Sequence, residues 1–113
     1  MAEARIIGVS NNRSTTAAQT SVGGTAALVT PAKPGRVFLR IQNTGTTTLY
    51  LNLNETAPTA TVYHAALAAC SSANDGTGGI FAVDGWAGAV TALSSATGGT
   101  MVITEVLGPA SWA

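Results

Sequence analysis

The sequence predicts an all-β fold, either an antiparallel β-sandwich or a jelly-roll-like barrel, with an extended N-terminal arm. Short apolar runs that alternate with polar residues recur along the chain, and glycine-rich turns separate them. No run shows the pattern of a long amphipathic helix, and 113 residues suffice for one hydrophobic core. We therefore expect one β-sandwich domain over residues 25–113, preceded by an arm over residues 1–24.

The first 35 residues differ in composition from the rest, because they hold several glycines and prolines and only short apolar runs. Residues 1–24 are predicted to be an extended arm, which can include a short strand over residues 5–9. A strand is expected over residues 26–29. Residues 31–35 then form a turn, since two prolines and a glycine fix the backbone and remove hydrogen-bond donors.

The most regular alternation lies in residues 36–53. Apolar and polar side chains alternate in residues 36–42 and again in residues 48–53, a period typical of β-strands. Residues 43–47 contain an asparagine and a glycine, which suit a hairpin loop. The pattern therefore predicts two strands of one antiparallel sheet.

Further strands are predicted nearer the C-terminus. Residues 85–93 and 100–107 form a pair of runs around a glycine-containing turn, and residues 80–83 form a shorter apolar run. Residues 61–72 are ambiguous. We expect strand character near residues 61–63, followed by at most one or two helical turns where alanine dominates.

Charge is scarce in this chain. Only 9% of residues are charged, although 46% are hydrophobic, whereas ordinary soluble domains have about 25% charged residues. Few ions would have to leave water when another protein binds such a surface. The formal net charge is zero, so copies of the chain repel each other weakly. This composition is typical of a subunit that packs in an assembly.

The few charges are unevenly placed along the chain. All five basic residues lie within the first 40 residues, and the rest of the chain contains four acidic residues and no basic ones. Either a basic N-terminal face or arm contacts an acidic neighbour, such as the next copy, or folding interleaves the two segments. Five scattered bases do not make the dense patch that phosphate binding requires, so no nucleic-acid partner is expected.

The residues do not suggest reaction chemistry. His64 is the only histidine, and a catalytic triad would need Asp75 or Asp84 to orient it. No serine lies in a nucleophile-elbow context, and the acidic residues are too dispersed to suggest a metal site. The single cysteine, Cys70, is expected to be a small buried side chain. We predict no catalytic residue, metal or cofactor, and no enzymatic activity.

The sequence also lacks the pattern of a signal peptide and any apolar stretch of the roughly 20 residues that span a bilayer. We expect synthesis in the cytoplasm and no membrane partner.

Candidate interface residues come from the aromatic side chains and from the arm. Phe38 and Tyr50 face outward on their predicted strands, where they form a contact patch or are covered by a second layer or by the arm. A tryptophan near the C-terminus is expected to anchor the tail to its own domain or to a neighbour. In the arm, two arginines can dock on an acidic groove, and three apolar residues can add an edge strand to a neighbour. The candidates are Arg5, Ile6, Ile7, Val9, Arg13, Phe38, Tyr50 and Trp112.

Several segments together form a recognisable pattern over residues 36–107. They are the strand over residues 37–43, the Thr44-Gly45 turn, Leu49-Tyr50-Leu51-Asn52, the Ala- and Thr-rich residues 57–63, and the closing runs 86–93 and 100–105. In this pattern the chain resembles small structural proteins encoded beside the capsid genes of tailed bacteriophages.

The resemblance implies a compact β domain with a flexible N-terminal arm and a binding role without catalysis. We expect a virion protein made in the host cytoplasm, most simply a capsid decoration (cement) protein that binds the major capsid protein on the outer head surface and bridges its subunits. Self-association as a homo-oligomer, for example a trimer, is also expected. The alternatives are a carbohydrate-binding or adhesin-like β-sandwich that uses Trp86, Tyr50 or Phe38 for stacking, and a tail or connector component.

Overall fold

A computed structural model describes residues 13–108, which form eight β-strands in two four-stranded sheets. The predicted all-β sandwich is confirmed. The strands are β1 (Ser14–Val22), β2 (Ala27–Thr30), β3 (Arg36–Asn43), β4 (Leu49–Asn52), β5 (Ala65–Leu67), β6 (Ile80–Asp84), β7 (Val90–Ser94) and β8 (Gly99–Leu107). Sheet 1 has the order β1-β8-β3-β6 and sheet 2 the order β2-β7-β4-β5, and all neighbouring strands are antiparallel.

The strand order is that of an eight-stranded jelly roll. Within residues 13–108, β4 and β5 are the only consecutive strands that pair in one sheet, and every other connection crosses to the opposite sheet. No helix in this part of the chain is long and apolar enough to cross a membrane.

The predicted pairing of β3 with β4 is therefore wrong, and the closing strands β7 and β8 likewise lie in different sheets. Asn43, which is fully buried, explains the first crossing. Its side-chain amide donates to the carbonyl oxygens of Thr47 (2.8 Å) and Leu67 (3.1 Å), and its side-chain oxygen accepts from the Gly45 N–H (3.0 Å). These bonds direct the chain toward sheet 2 where a hairpin would have turned it back.

The hydrophobic core lies between the two sheets and consists of the inward side chains of both. Because successive strand residues face opposite sides, each sheet contributes every second residue. The buried cluster comprises Val22, Leu39, Ile41, Leu49, Leu51, Leu67, Val90, Ala92, Met101 and Ile103. Cys70 is also buried, as the sequence predicted.

Strand β1 corrects the predicted extent of the arm. Residues 14–22 pair with β8 along their whole length, from Ser14 opposite Leu107 to Val22 opposite Gly99. The sequence placed them outside the domain because they are polar and small. They need little apolar surface, since β1 is an edge strand whose first six residues are exposed on both faces. The predicted strand over residues 5–9 lies outside the described residues.

The ambiguous stretch over residues 61–72 contains the short strand β5 and no helix. Ala65 and Leu67 pair with Leu51 and Leu49 of β4, so long-range pairing overrides the local helix propensity of the alanines. Residues 61–63, predicted as a strand, belong instead to the connection between β4 and β5.

Candidate interaction surfaces

The strands of sheet 2 contain no charged residue. None of the four contains Asp, Glu, Lys or Arg, whereas the strands of sheet 1 contain two arginines and two acidic residues. Large apolar and aromatic side chains are exposed or half-buried on the outer face of sheet 2. We refer to Leu28, Tyr50, Tyr63, Ala66 and Leu93 as the sheet 2 face.

Strand register places these side chains together. Tyr50 on β4 lies directly opposite Leu93 on β7 and Ala66 on β5, and directly opposed residues share a face of the sheet. The Tyr63 ring lies against the Tyr50 ring, with centroids 5.1 Å apart and planes tilted by 41°. Leu28 on β2 is 53% exposed and Tyr63 is 42% exposed. Each of the four strands or its adjoining connection therefore contributes an apolar or aromatic side chain to this face, and the polar Thr91 lies between Leu28 and Leu93.

Hydrogen bonds position Tyr63 over this face. The backbone N–H of His64 donates to the carbonyl oxygen of Leu51 (2.8 Å) and to the side-chain oxygen of Asn52 (3.1 Å). In return, the Leu53 N–H donates to Nδ1 of His64 (2.9 Å). This mutual clamp holds the connection against the end of β4, so that Tyr63 is pre-positioned for contact.

The predicted aromatic pair does not form one patch. Phe38 and Tyr50 both face outward, as the sequence indicated, but β3 and β4 belong to opposite sheets, so the two rings lie on opposite sides of the molecule. Phe38 has Val106 and Asp84 as its cross-strand neighbours, and Arg40 lies on the same face. The outer face of sheet 1 is therefore mixed in charge.

Of the remaining candidates, the structure places only Arg13 and the alternative stacking residue Trp86. Arg13 is exposed immediately before β1, whereas Arg5, Ile6, Ile7, Val9 and Trp112 lie outside the described residues. Trp86, the alternative stacking residue, packs partly against the core, and its indole N–H donates to the Ala89 carbonyl oxygen (3.1 Å).

A buried ion network lies near the edge formed by β1 and β2. The Glu105 carboxylate accepts hydrogen bonds from Arg36 (2.7 Å), Lys33 (2.5 Å) and the Thr30 hydroxyl (2.8 Å). The Arg36 guanidinium also donates to the carbonyl oxygens of Trp86 and Gly88. Burial alone raises the pKa of Glu105, but the bonds from Lys33, Thr30 and Arg36 outweigh it, and the net pKa is lowered.

This network bears on the uneven distribution of charge along the chain. Two bases from the first 40 residues pair with an acid from the rest of the chain, so folding brings part of the basic and acidic segments together. The network was not predicted from the sequence, although Glu105 faces the interior of the sandwich together with Met101 and Ile103 of β8. An acid at an inward position is itself a signal of a buried partner. Above the network, β1 and residues 29–33 line an open cleft of about 140 Å³.

Two of the potential catalytic residues, His64 and Asp75, are engaged in structural bonds. Nδ1 of His64 accepts from a backbone N–H, and the Asp75 carboxylate accepts from the backbone of Ser72 and from the backbone and hydroxyl of Thr77. The Thr77 hydroxyl bond is the main cause of the lowered pKa of Asp75. Among residues 13–108, no group of three His, Cys, Asp or Glu residues could hold a metal ion.

No protein-family model matches the chain, and no curated protein matches it. Among solved structures, the chain is similar to one from work on Bacillus endospore appendages that form disulfide-linked pili, with 15% identity, 85% of this chain and 86% of that chain covered, and a TM-score of 0.48.

Proposed function

We propose that this protein is a non-enzymatic virion component, most simply a decoration (cement) protein that binds the outer surface of a tailed-bacteriophage head. In this role it contacts the major capsid protein and bridges neighbouring capsid subunits. The observation that carries the proposal is the uncharged, partly aromatic sheet 2 face.

Such a face suits protein docking for two physical reasons. Burying it removes no ions from water, so the desolvation penalty is small. Interface cores are depleted in charged residues and enriched in aromatic ones, as this face is. A contact of about 800 Å² per partner, repeated at many equivalent positions on a particle, stabilises the particle through many moderate interactions.

The assigned role requires binding alone. His64 and Asp75 are used to shape loops, and Glu105 is held by three donors in the interior. We therefore assign no reaction to any of them.

Glycan binding is the second candidate, because the exposed Tyr63 ring beside Tyr50 offers a stacking surface. The tilt between the two rings and the half-buried position of Tyr50 leave Tyr63 as the principal platform. This candidate predicts binding to oligosaccharides in the absence of any capsid.

The test measures binding of the purified protein to heads and to tails of the phage whose major capsid gene lies beside this gene. The Tyr50→Ser/Tyr63→Ser variant should raise the dissociation constant for heads about tenfold or more, because tyrosine is enriched among the few interface residues whose truncation costs about 2 kcal/mol or more. Phe38→Ser, on the opposite side, is the matched control and should leave occupancy unchanged. Thermal unfolding of all three proteins establishes that each is folded.

Three outcomes would contradict the proposal. Unchanged occupancy of the double tyrosine variant would show that the sheet 2 face does not dock. Binding to tails but not to heads would indicate a tail or connector component. Tyrosine-dependent binding to a glycan array, with no head binding, would indicate the carbohydrate-binding alternative.

A further inference from the structure

The two sheets end in four edge strands of very different lengths. Strands β6, β2 and β5 contain five, four and three residues, whereas β1 contains nine. An exposed edge presents backbone donors and acceptors that another strand can pair with, and proteins protect themselves with short strands, charges, prolines or bulges. Three of the edges are short, and β2 also has a register shift. Only β1 is long among the edges of residues 13–108.

Strand β1 has none of the usual protective features. Its sequence, Ser-Thr-Thr-Ala-Ala-Gln-Thr-Ser-Val, contains no charge and no proline, and its register with β8 is regular from end to end. Residues 14–19 are exposed on both faces, so sheet 2 does not cover them. Within residues 13–108, β8 is the only strand that pairs with β1.

We infer that the outer edge of β1 pairs with β1 of a second copy of this chain, antiparallel and centred on Ala18. This pairing joins two copies of sheet 1 into one eight-stranded sheet. Ala18 then lies opposite Ala18 of the partner copy, and Thr16 lies opposite the partner's Thr20. Cross-strand threonine pairs of this kind are stabilising.

Charge and symmetry favour a second copy as the partner. In the centred register, Arg13 lies opposite Gly23 of the other chain, so the two Arg13 side chains are at opposite ends of the contact. The contact is isologous, so it covers both β1 edges completely and closes at two copies. Pairing of β1 with β6 of another copy would match nine residues with five and leave an open chain of subunits.

The inference does not depend on a capsid and is tested on the purified full-length protein. Sedimentation across a concentration series should show a monomer–dimer equilibrium. Ala18→Lys and Ala18→Glu should each raise the dimer dissociation constant about fivefold, because like charges would face each other across the two-fold axis. An equimolar mixture of the two variants should restore a heterodimer at least as strong as the wild-type dimer.

Ala82→Lys is the matched control, since Ala82 is an exposed alanine on the other edge of sheet 1. It should leave the dissociation constant unchanged. Circular dichroism melting verifies that all variants are folded, which we expect because both alanines are exposed.

Several results would overturn the inference. The wild-type chain could remain monomeric, as it would if its own N-terminal residues covered the edge. The two Ala18 variants could associate like wild type, or their mixture could fail to recover the dimer. Weakening by Ala82→Lys would show that β6 is the strand that pairs.

Discussion

The two sheets of this jelly roll contribute to the core in similar ways but differ in charge. The charged strand residues, Arg36, Arg40, Asp84 and Glu105, all lie in sheet 1. Two of them, Arg36 and Glu105, are turned inward and buried. The strands of sheet 2 are uncharged on both faces.

The difference separates two tasks in one small domain. In sheet 1, the Arg36–Glu105 pair ties β3 and β8 to Thr30, Lys33 and the carbonyl groups of residues 86 and 88, and so positions two crossing connections. In sheet 2, the inward face supplies core side chains and the outward face is available for docking. Buried charges thus fix the connections on one side of the fold, where loss of either partner would leave an unpaired charge, while the strands of the other side stay easy to desolvate.

Removal of the buried positive charge from sheet 1 should have the largest effect on stability. Arg36→Ala leaves Glu105 without its buried cation and should lower the free energy of unfolding by about 3–5 kcal/mol. Arg40→Ala, in the same strand but on the outer face, should change it by no more than about 0.5 kcal/mol. Urea denaturation measures both. Equal effects of the two substitutions would show that the network is not what stabilises sheet 1.

Lowering the pH should also weaken this network, but it should reduce the free energy of unfolding less than Arg36→Ala does. The pKa of Glu105 is lowered in the folded state, so its contribution to stability is fully present above the unfolded-state value, about 4.5, and is lost as the pH falls through the lower folded-state value. The free energy of unfolding of the wild type should therefore fall below about pH 4.5. The free energy of unfolding of Glu105→Gln should be lower than that of the wild type at neutral pH and should depend less on pH.

Some acid dependence should persist in Glu105→Gln, because the Thr77 hydroxyl also lowers the pKa of Asp75. Glu55→Gln, at an exposed loop residue, is the control and should follow the wild-type profile. A Glu105→Gln profile as steep as that of the wild type would contradict the assignment.

Local patterns predicted the strands of this fold better than they predicted their partners. Alternation in residues 36–43 and 99–107 follows directly from one buried face, so it is visible in the sequence. Which sheet the next strand joins depends on long-range contacts, such as the bond from Asn43 to Leu67. An asparagine and a glycine after a strand are equally compatible with a hairpin and with a crossing.

The same limit applies to the candidate site. The outward directions of Phe38 and Tyr50 were predictable from alternation, but their separation on opposite faces was not, since it follows from the sheet assignment. Tyr63 was missed because residues 61–63 were predicted as a strand, whereas Tyr63 reaches the sheet 2 face from the connection between β4 and β5. Once the strands are assigned to sheets, the lack of charge in sheet 2 can be recognised from the sequence alone.

The smallest effect is predicted for His64, which follows Tyr63 in the chain but is not among the residues of the sheet 2 face. His64→Ala removes the acceptor of the Leu53 N–H at an exposed position, where water can replace it, so the free energy of unfolding should fall by no more than about 1 kcal/mol. Head occupancy should stay within about twofold of wild type, because the backbone N–H of residue 64 still holds the end of β4. The neighbouring Tyr63→Ser substitution is the contrasting variant. It should reduce head occupancy, although it should lower the free energy of unfolding no more than His64→Ala does. If His64→Ala lost head binding at an unchanged melting temperature, the imidazole itself would take part in function. The uncharged strands of sheet 2 would then not account for docking.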